Sequence, residues 1–248
     1  MEPLRIIMFK LQFYYLMNRT SIGFLATAMT LLTGALLYSS RFYESATLLD
    51  ANRALYQAEY LSESIGIIKF VIIISSLFLN LHCFLGVNGK YSAFFVTKQA
   101  DRRRFILAKL AMINLIVFVM SCSAWCIYNL IGTYLTPYHV ITLGETRLFG
   151  YITIEAVILG LIEAVLMQVF DSLFSGLIPL MGFWGLEVFG IDEILIDSKP
   201  VSILYQIIPH LVHKDVDFIV YGTWCGYVLF LVSLLLLNII IFQNRDIS

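Results

Sequence analysis

Residues 20–40, 70–89 and 110–144 of this chain contain no Asp, Glu, Lys or Arg. A helix rises about 1.5 Å per residue, so about 20 apolar residues cross the roughly 30 Å hydrocarbon core of a bilayer. The first two runs match that length, and the third, at 35 residues, exceeds one straight span. Uncharged runs of this kind leave two options, a membrane helix or an unusually large buried core. Composition decides between them. The chain is 60% hydrophobic and 13% charged, against about 45–50% and about 25% in soluble domains. A 248-residue globule cannot bury that excess, so the bilayer is its solvent.

The expected fold is therefore all-α and polytopic, a single transmembrane domain over residues 1–248 with six spans at about 20–40, 65–87, 105–131, 148–170, 173–189 and 218–243. Asp171 and Ser172 form a tight turn between the fourth and fifth. Ahead of the first span, residues 3–19 read as an amphipathic helix, with Arg5, Gln12 and Arg19 every seven residues among apolar neighbours. It either lies at the membrane surface with its cations in the headgroup zone or extends the first span. Residues 41–63 are polar, and residues 191–217 mix acids, His210 and His213 with interleaved Ile and Leu, as short amphipathic pieces at an interface do. No cleavable signal peptide is evident in residues 1–20.

Six spans put both ends of the chain on one side. That side carries Arg5, Lys10, Arg19, Lys90, Lys98, Arg102, Arg103, Arg104, Lys109 and Arg245, and the other carries Arg41, Arg53, Arg147, Lys199 and Lys214. Lys and Arg accumulate on the cytoplasmic side, so both termini are expected in the cytoplasm, with the plasma (inner) membrane as the location. The formal net charge of −1 provides no basic field for nucleic acid.

Enzymatic motifs are absent. Gly89-Lys90-Tyr91-Ser92 echoes a phosphate-binding loop but has Phe84 at the first glycine position and Tyr91 at the hydroxyl position. There is no HExxH and no GxSxG with a partner histidine. Cys83, Cys122, Cys126 and Cys225 lie in apolar runs, form no CxxC pair and read as small packing residues. The HxxH of His210 and His213 reads more readily as solvated interface residues than as metal ligands. No catalytic or metal residue is expected.

Four ionisable residues fall at membrane depth: Lys69, Glu155, Glu163 and Glu187. Charges there are costly and turn toward a bundle interior or water. Glu155 and Glu163 are two helical turns apart on neighbouring faces and are candidates for lining a pathway or a subunit contact. Lys69 and Glu187 read as side chains snorkelling toward an interface. In the loop after the second span, Tyr91, Phe94 and Phe95 provide an apolar side, followed by Lys98, Arg102, Arg103 and Arg104. A short helix there would lie flat on the membrane face and dock into a partner's groove, or serve only as a positive anchor.

Residues 95–109, from Phe95 through the arginine triplet to Lys109, resemble the coupling-helix signature of the membrane subunits of type-2 ABC transporters, the six-span exporter permeases. Residues 3–19, residues 191–217 and the ending Phe242-Gln243-Asn244-Arg245-Asp246 are similar, in order, to that family's interfacial helix, broken hairpin and terminal motif. Asn88, Gly89 and Lys90 stand where family members often have glutamates, and Gln99 where proline is common.

The resemblance implies a permease that pairs with itself or a related permease in the lipid bilayer. Separate ABC ATPase subunits would dock on Tyr91, Phe94, Phe95, Lys98, Arg102, Arg103 and Arg104. ATP and magnesium would be held by those partners, with no cofactor on this chain. The cargo would be amphipathic or hydrophobic, a peptide, drug or lipid-linked molecule, with bacteriocin or cytolytic-peptide exporters as the nearest subfamily. The alternative is an ion-coupled secondary transporter using Glu155 and Glu163.

Overall fold

A computed structural model describes residues 10, 12–14, 16–44, 53–84, 99–135, 139–170, 172, 174, 177–179 and 222–244. Every long element among them is an α-helix: α1 (Arg19–Glu44), α2 (Arg53–Phe84), α3 (Gln99–Leu135), α4 (Leu143–Phe170) and α5 (Gly222–Asn244). All five are long and apolar enough to cross a membrane, over Arg19–Ser40, Tyr60–Phe84, Arg102–Tyr134, Leu143–Phe170 and Gly226–Asn244. The chain is thus a multi-pass helical membrane protein. In hydrocarbon every backbone polar group must bond within its own segment, which overrides the strand preference of runs such as Val71-Ile72-Ile73-Ile74. Hydroxyls follow the same rule. On the outer surface Thr27, Thr30, Ser123 and Ser233 each donate to the carbonyl four residues back, at 2.8 Å.

The helices start where side chains cap them. Asn18 Oδ1 accepts the Ser21 amide at 2.8 Å, and Thr142 Oγ1 accepts the Glu145 amide at 3.2 Å, satisfying amides that a helix N-terminus leaves open. A turn at Met17–Asn18 separates α1 from the helical residues 10, 12–14 and 16 ahead of it. Gln12 is buried while Phe13 and Tyr14 are exposed, so the amide turns to the bundle and the aromatics turn outward, as a lipid surround favours.

Three boundaries differ from those expected. α1 runs on to Glu44 and α2 begins at Arg53, inside the stretch read as a polar connection. Charge marks where a helix leaves the hydrocarbon, and Ala, Leu, Gln and Glu in residues 53–63 continue it as good helix formers. Likewise α3 starts at Gln99, so Arg102, Arg103 and Arg104 lie on the first turns of that helix and not on a separate flat one.

Pairwise contacts fix the directions. Asn18 Nδ2 donates to His82 Nε2 at 2.6 Å and Phe24 stacks on Phe78, so α1 starts beside the end of α2. Lys109 meets Cys83 and Tyr128 meets Tyr60, making α3 antiparallel to α2. Gln57 meets Glu145, Lys69 meets Glu155 and Ser76 meets Ala156, so α4 is parallel to α2. Phe105 stacks on Phe242 with centroids 5.9 Å apart, placing the end of α5 beside the start of α3. One end of the bundle therefore holds the start of α1 and α3 and the last turns of α2, α4 and α5. It carries exposed Arg19, Arg103 and Arg104 and is called the basic end below.

Two cations on α3, seven residues apart, close neighbouring helices there. Lys109, 3% exposed, donates to the Cys83 carbonyl at 2.5 Å and lies 4.3 Å from the Phe84 ring centroid. Arg102 donates to the Gln243 carbonyl at 3.1 Å. Each takes the penultimate carbonyl of a helix whose last turn lacks internal donors and carries partial negative charge.

Residues 3–9, the loop 90–98, most of 173–189 and the whole of 191–217 fall outside the described residues, and with them the coupling helix, the fifth expected span and the amphipathic hairpin.

Candidate functional site: the polar seam of α2 and α4

The most extensive helix contact joins α2 to α4, and it is unusually polar. Ser76 Oγ donates to the Ala156 carbonyl at 2.8 Å, and Asn80 Nδ2 returns to Ser76 O at 3.0 Å. Gly160 makes this closeness possible. A Cβ there would stand 2.5 Å from Asn80 Nδ2 and 2.6 Å from Ser76 Oγ. Small residues let membrane helices approach in this way.

Three carboxylates of α4 are buried along this interior: Glu145 at 5%, Glu155 at 6% and Glu163 at 1% exposure. Their spacing of ten and eight residues sets them about 15 and about 12 Å apart along the axis. Each is treated differently. Glu145 Oε1 accepts from Gln57 Nε2 at 2.7 Å, and the same amide reaches the Val140 carbonyl at 2.7 Å. Around this level Tyr60 and Tyr128 stack with centroids 4.8 Å apart. His139 meets both rings edge-on and shares a 3.0 Å hydrogen bond with Asn129 Oδ1. Burial holds the His139 imidazole below its ordinary pKa, with Glu145 pulling the other way.

Glu155 Oε1 lies 3.2 Å from Lys69 Nζ, with both side chains largely buried. Lys69 is therefore not a snorkelling side chain. The earlier start of α2, at Arg53, puts it mid-helix, where a lysine in hydrocarbon must be matched. Glu163 is different again. Its Oε2 is buried with no hydrogen-bond partner among the described residues. Below it, Gln168 Nε2 donates to Asn238 Oδ1 at 2.6 Å, and Asn238 Nδ2 donates to the Leu161 and Leu234 carbonyls at 3.1 and 2.9 Å. This clamp ties α5 to α4.

Of the residues singled out from sequence, Glu155 and Glu163 both face the interior. Among the arginines, Arg102 is half-buried and engaged with α5, while Arg103 and Arg104 are exposed at the basic end. Tyr91, Phe94, Phe95 and Lys98, together with Glu187, His210 and His213, lie outside the described residues. The sequence reading missed Gln57, Asn80, Gln168 and Asn238. Each is an amide in or beside an apolar run, which is the available signal for an interhelical clamp. It also passed over Thr142-Leu143-Gly144-Glu145, whose spacing matches a helix-start box. Among the described residues no cluster of three or more His, Cys, Asp or Glu is arranged to hold a metal. No known family model matches the chain, and no curated protein matches it.

Proposed function

We propose that this protein is the six-span membrane subunit of an ATP-driven exporter, carrying an amphipathic or hydrophobic cargo outward and relying on separate ATPase subunits. One observation carries the reading. The described bundle begins and ends at the same basic end, with Arg103 and Arg104 exposed on the first turns of α3. Five crossings alone would leave those two ends on opposite faces. Because α4 and α5 run parallel, a further crossing by the chain between them is the reading that joins them. Residues 173–189 supply a segment of suitable length and hydrophobicity for that crossing. Ser172 Oγ accepts the Phe174 amide at 3.2 Å, and residues 174 and 177–179 are helical, which agrees with a turn into a new helix.

An even number of spans, a basic face taken as cytoplasmic and a chain without its own nucleotide motif fit the exporter subunit that the residue 95–109 signature resembles. The docking surface would comprise Tyr91, Phe94, Phe95, Lys98, Arg103 and Arg104. Arg102 is committed to α5 and would position that surface. ATP and magnesium would be held by the docked subunits, a second permease copy would complete the pathway, and both termini would face the cytoplasm.

The test is co-purification of the chain with a candidate ATPase. The quadruple variant Phe94→Ala, Phe95→Ala, Arg103→Ala, Arg104→Ala should lose the partner while keeping the monodispersity of the wild type. Equal recovery of the ATPase with both would refute the docking role. An ion-coupled transporter remains as a second reading because of Glu163, and it requires transport to persist without any ATPase.

A further inference from the structure

The interior around Glu163 has more acceptors than donors. Asn80 Oδ1, Glu163 Oε2 and Gln168 Oε1 are all buried without a hydrogen-bond partner among the described residues. Each nearby amide nitrogen already donates elsewhere: Asn80 Nδ2 to Ser76 O, Gln168 Nε2 to Asn238 Oδ1, and Asn238 Nδ2, with both hydrogens, to two carbonyls. Asn80 packs against Gly160, about 4.5 Å along α4 from Glu163, and Gln168 lies about 7.5 Å further. Along α4 the three orphan oxygens are thus spread over about 12 Å, with Asn80 within one turn of Glu163 and Gln168 turned toward α5.

The charged and titratable groups in this half of the bundle include His82 and Cys83 of α2, Lys109 of α3 and, at the basic end, Arg19 of α1 and Arg102, Arg103 and Arg104 of α3, while Cys225 and Tyr227 of α5 lie at the opposite end. Lys109 is engaged with the Cys83 carbonyl and the Phe84 ring. One level up, Lys69 is engaged with Glu155. No ion pair to Glu163 is present among the described residues. An isolated carboxylate in such surroundings is costly by far more than a hydrogen bond. The missing element is positive and seeks oxygen.

We infer that Glu163, with Asn80 of the neighbouring helix within one turn of it, is where a small monovalent cation, a proton or sodium ion, is held within the membrane. The inference is independent of ATPase docking, because it concerns what neutralises α4 and not what drives the bundle.

Infrared difference spectroscopy of the full chain reconstituted in lipid tests it. In alkali-metal-free buffer near neutral pH, the wild type should show the carbonyl band of a protonated carboxylic acid. The band should be lost in Glu163→Gln and displaced in Glu163→Asp, which keeps a carboxyl group if the amide variant folds poorly. Loss of the band as sodium chloride is added identifies sodium as the ligand. Persistence through the sodium titration, with loss only on alkalinisation, identifies a proton. If no band at neutral pH depends on residue 163, the carboxylate is charged and matched by the protein itself, and the inference falls. That result would leave the co-purification test untouched.

Discussion

Glu155 and Glu163 sit eight residues apart on α4, equally apolar in their sequence neighbourhood and both buried, yet one faces a lysine at 3.2 Å and the other faces no cation among the described residues. Glu145, a further ten residues up the helix, accepts from the neutral amide of Gln57 and acts on the His139 imidazole. One helix therefore presents three answers to the same electrostatic problem. At the Glu155 level the protein supplies the counter-charge, so the site is closed and structural. At the Glu163 level no counter-charge is present among the described residues, which is what the inferred cation would supply. Glu145 lies near the bundle end beside a stacked aromatic group.

The largest effect should come from breaking the closed level. Lys69→Met leaves Glu155 buried without its partner and should cost about 3–5 kcal/mol, read as a lowered unfolding midpoint in detergent. Adding Glu155→Leu should restore most of the loss, because two apolar side chains replace a desolvated pair. A double variant as unstable as the single one would show that the pair has a further role.

Next in size is the wedge between the two levels. Gly160→Ala forces a methyl group against Asn80 and Ser76, whose hydrogen bonds hold them in place, and should cost about 1–3 kcal/mol. By contrast Gly34, with nothing within 4 Å of an added Cβ, should accept alanine without loss.

The Glu145 level should respond to pH. His139 has a pKa below its ordinary 6.5 in the folded protein, so the unfolded chain binds the proton more readily. Stability from this group is complete above about pH 6.5 and declines as pH falls through that value toward the folded pKa. His139→Phe should flatten that part of the stability profile, as followed by thermal unfolding across pH.

Glu163→Gln should have the smallest effect on stability, within about 1 kcal/mol, because it removes a charge that no described residue matches. A loss as large as that of Lys69→Met would place Glu163 in the closed class and erase the contrast.

Much of this was legible in sequence, for identifiable reasons. Runs free of charge located four helices, because the bilayer punishes charge wherever the chain crosses it, and α4 was legible from its apolar length in spite of Glu155 and Glu163. The ends were less legible. Residues 53–64 and 99–104 are polar and still helical, since polarity reports the edge of the hydrocarbon and not the end of a helix. Glu155 and Glu163 were indistinguishable in one dimension. Only the relative register of α2 and α4, set by Gly160 and Ser76, brings Lys69 to one and not the other. The roles of Arg102 and Lys109 were equally hidden. Both belong to a basic cluster in sequence, and only packing shows that they close the ends of α5 and α2.

The proposed exporter subunit requires a bundle with one basic, cytoplasmic end and an even number of crossings. Labelling with a membrane-impermeant thiol reagent, in a background with Cys83, Cys122, Cys126 and Cys225 replaced, tests this most directly. Arg103→Cys and Ser172→Cys should react only from the cytoplasmic side and Arg147→Cys only from the outside. Reaction of positions 103 and 147 from the same side, or with the sides reversed, would contradict it.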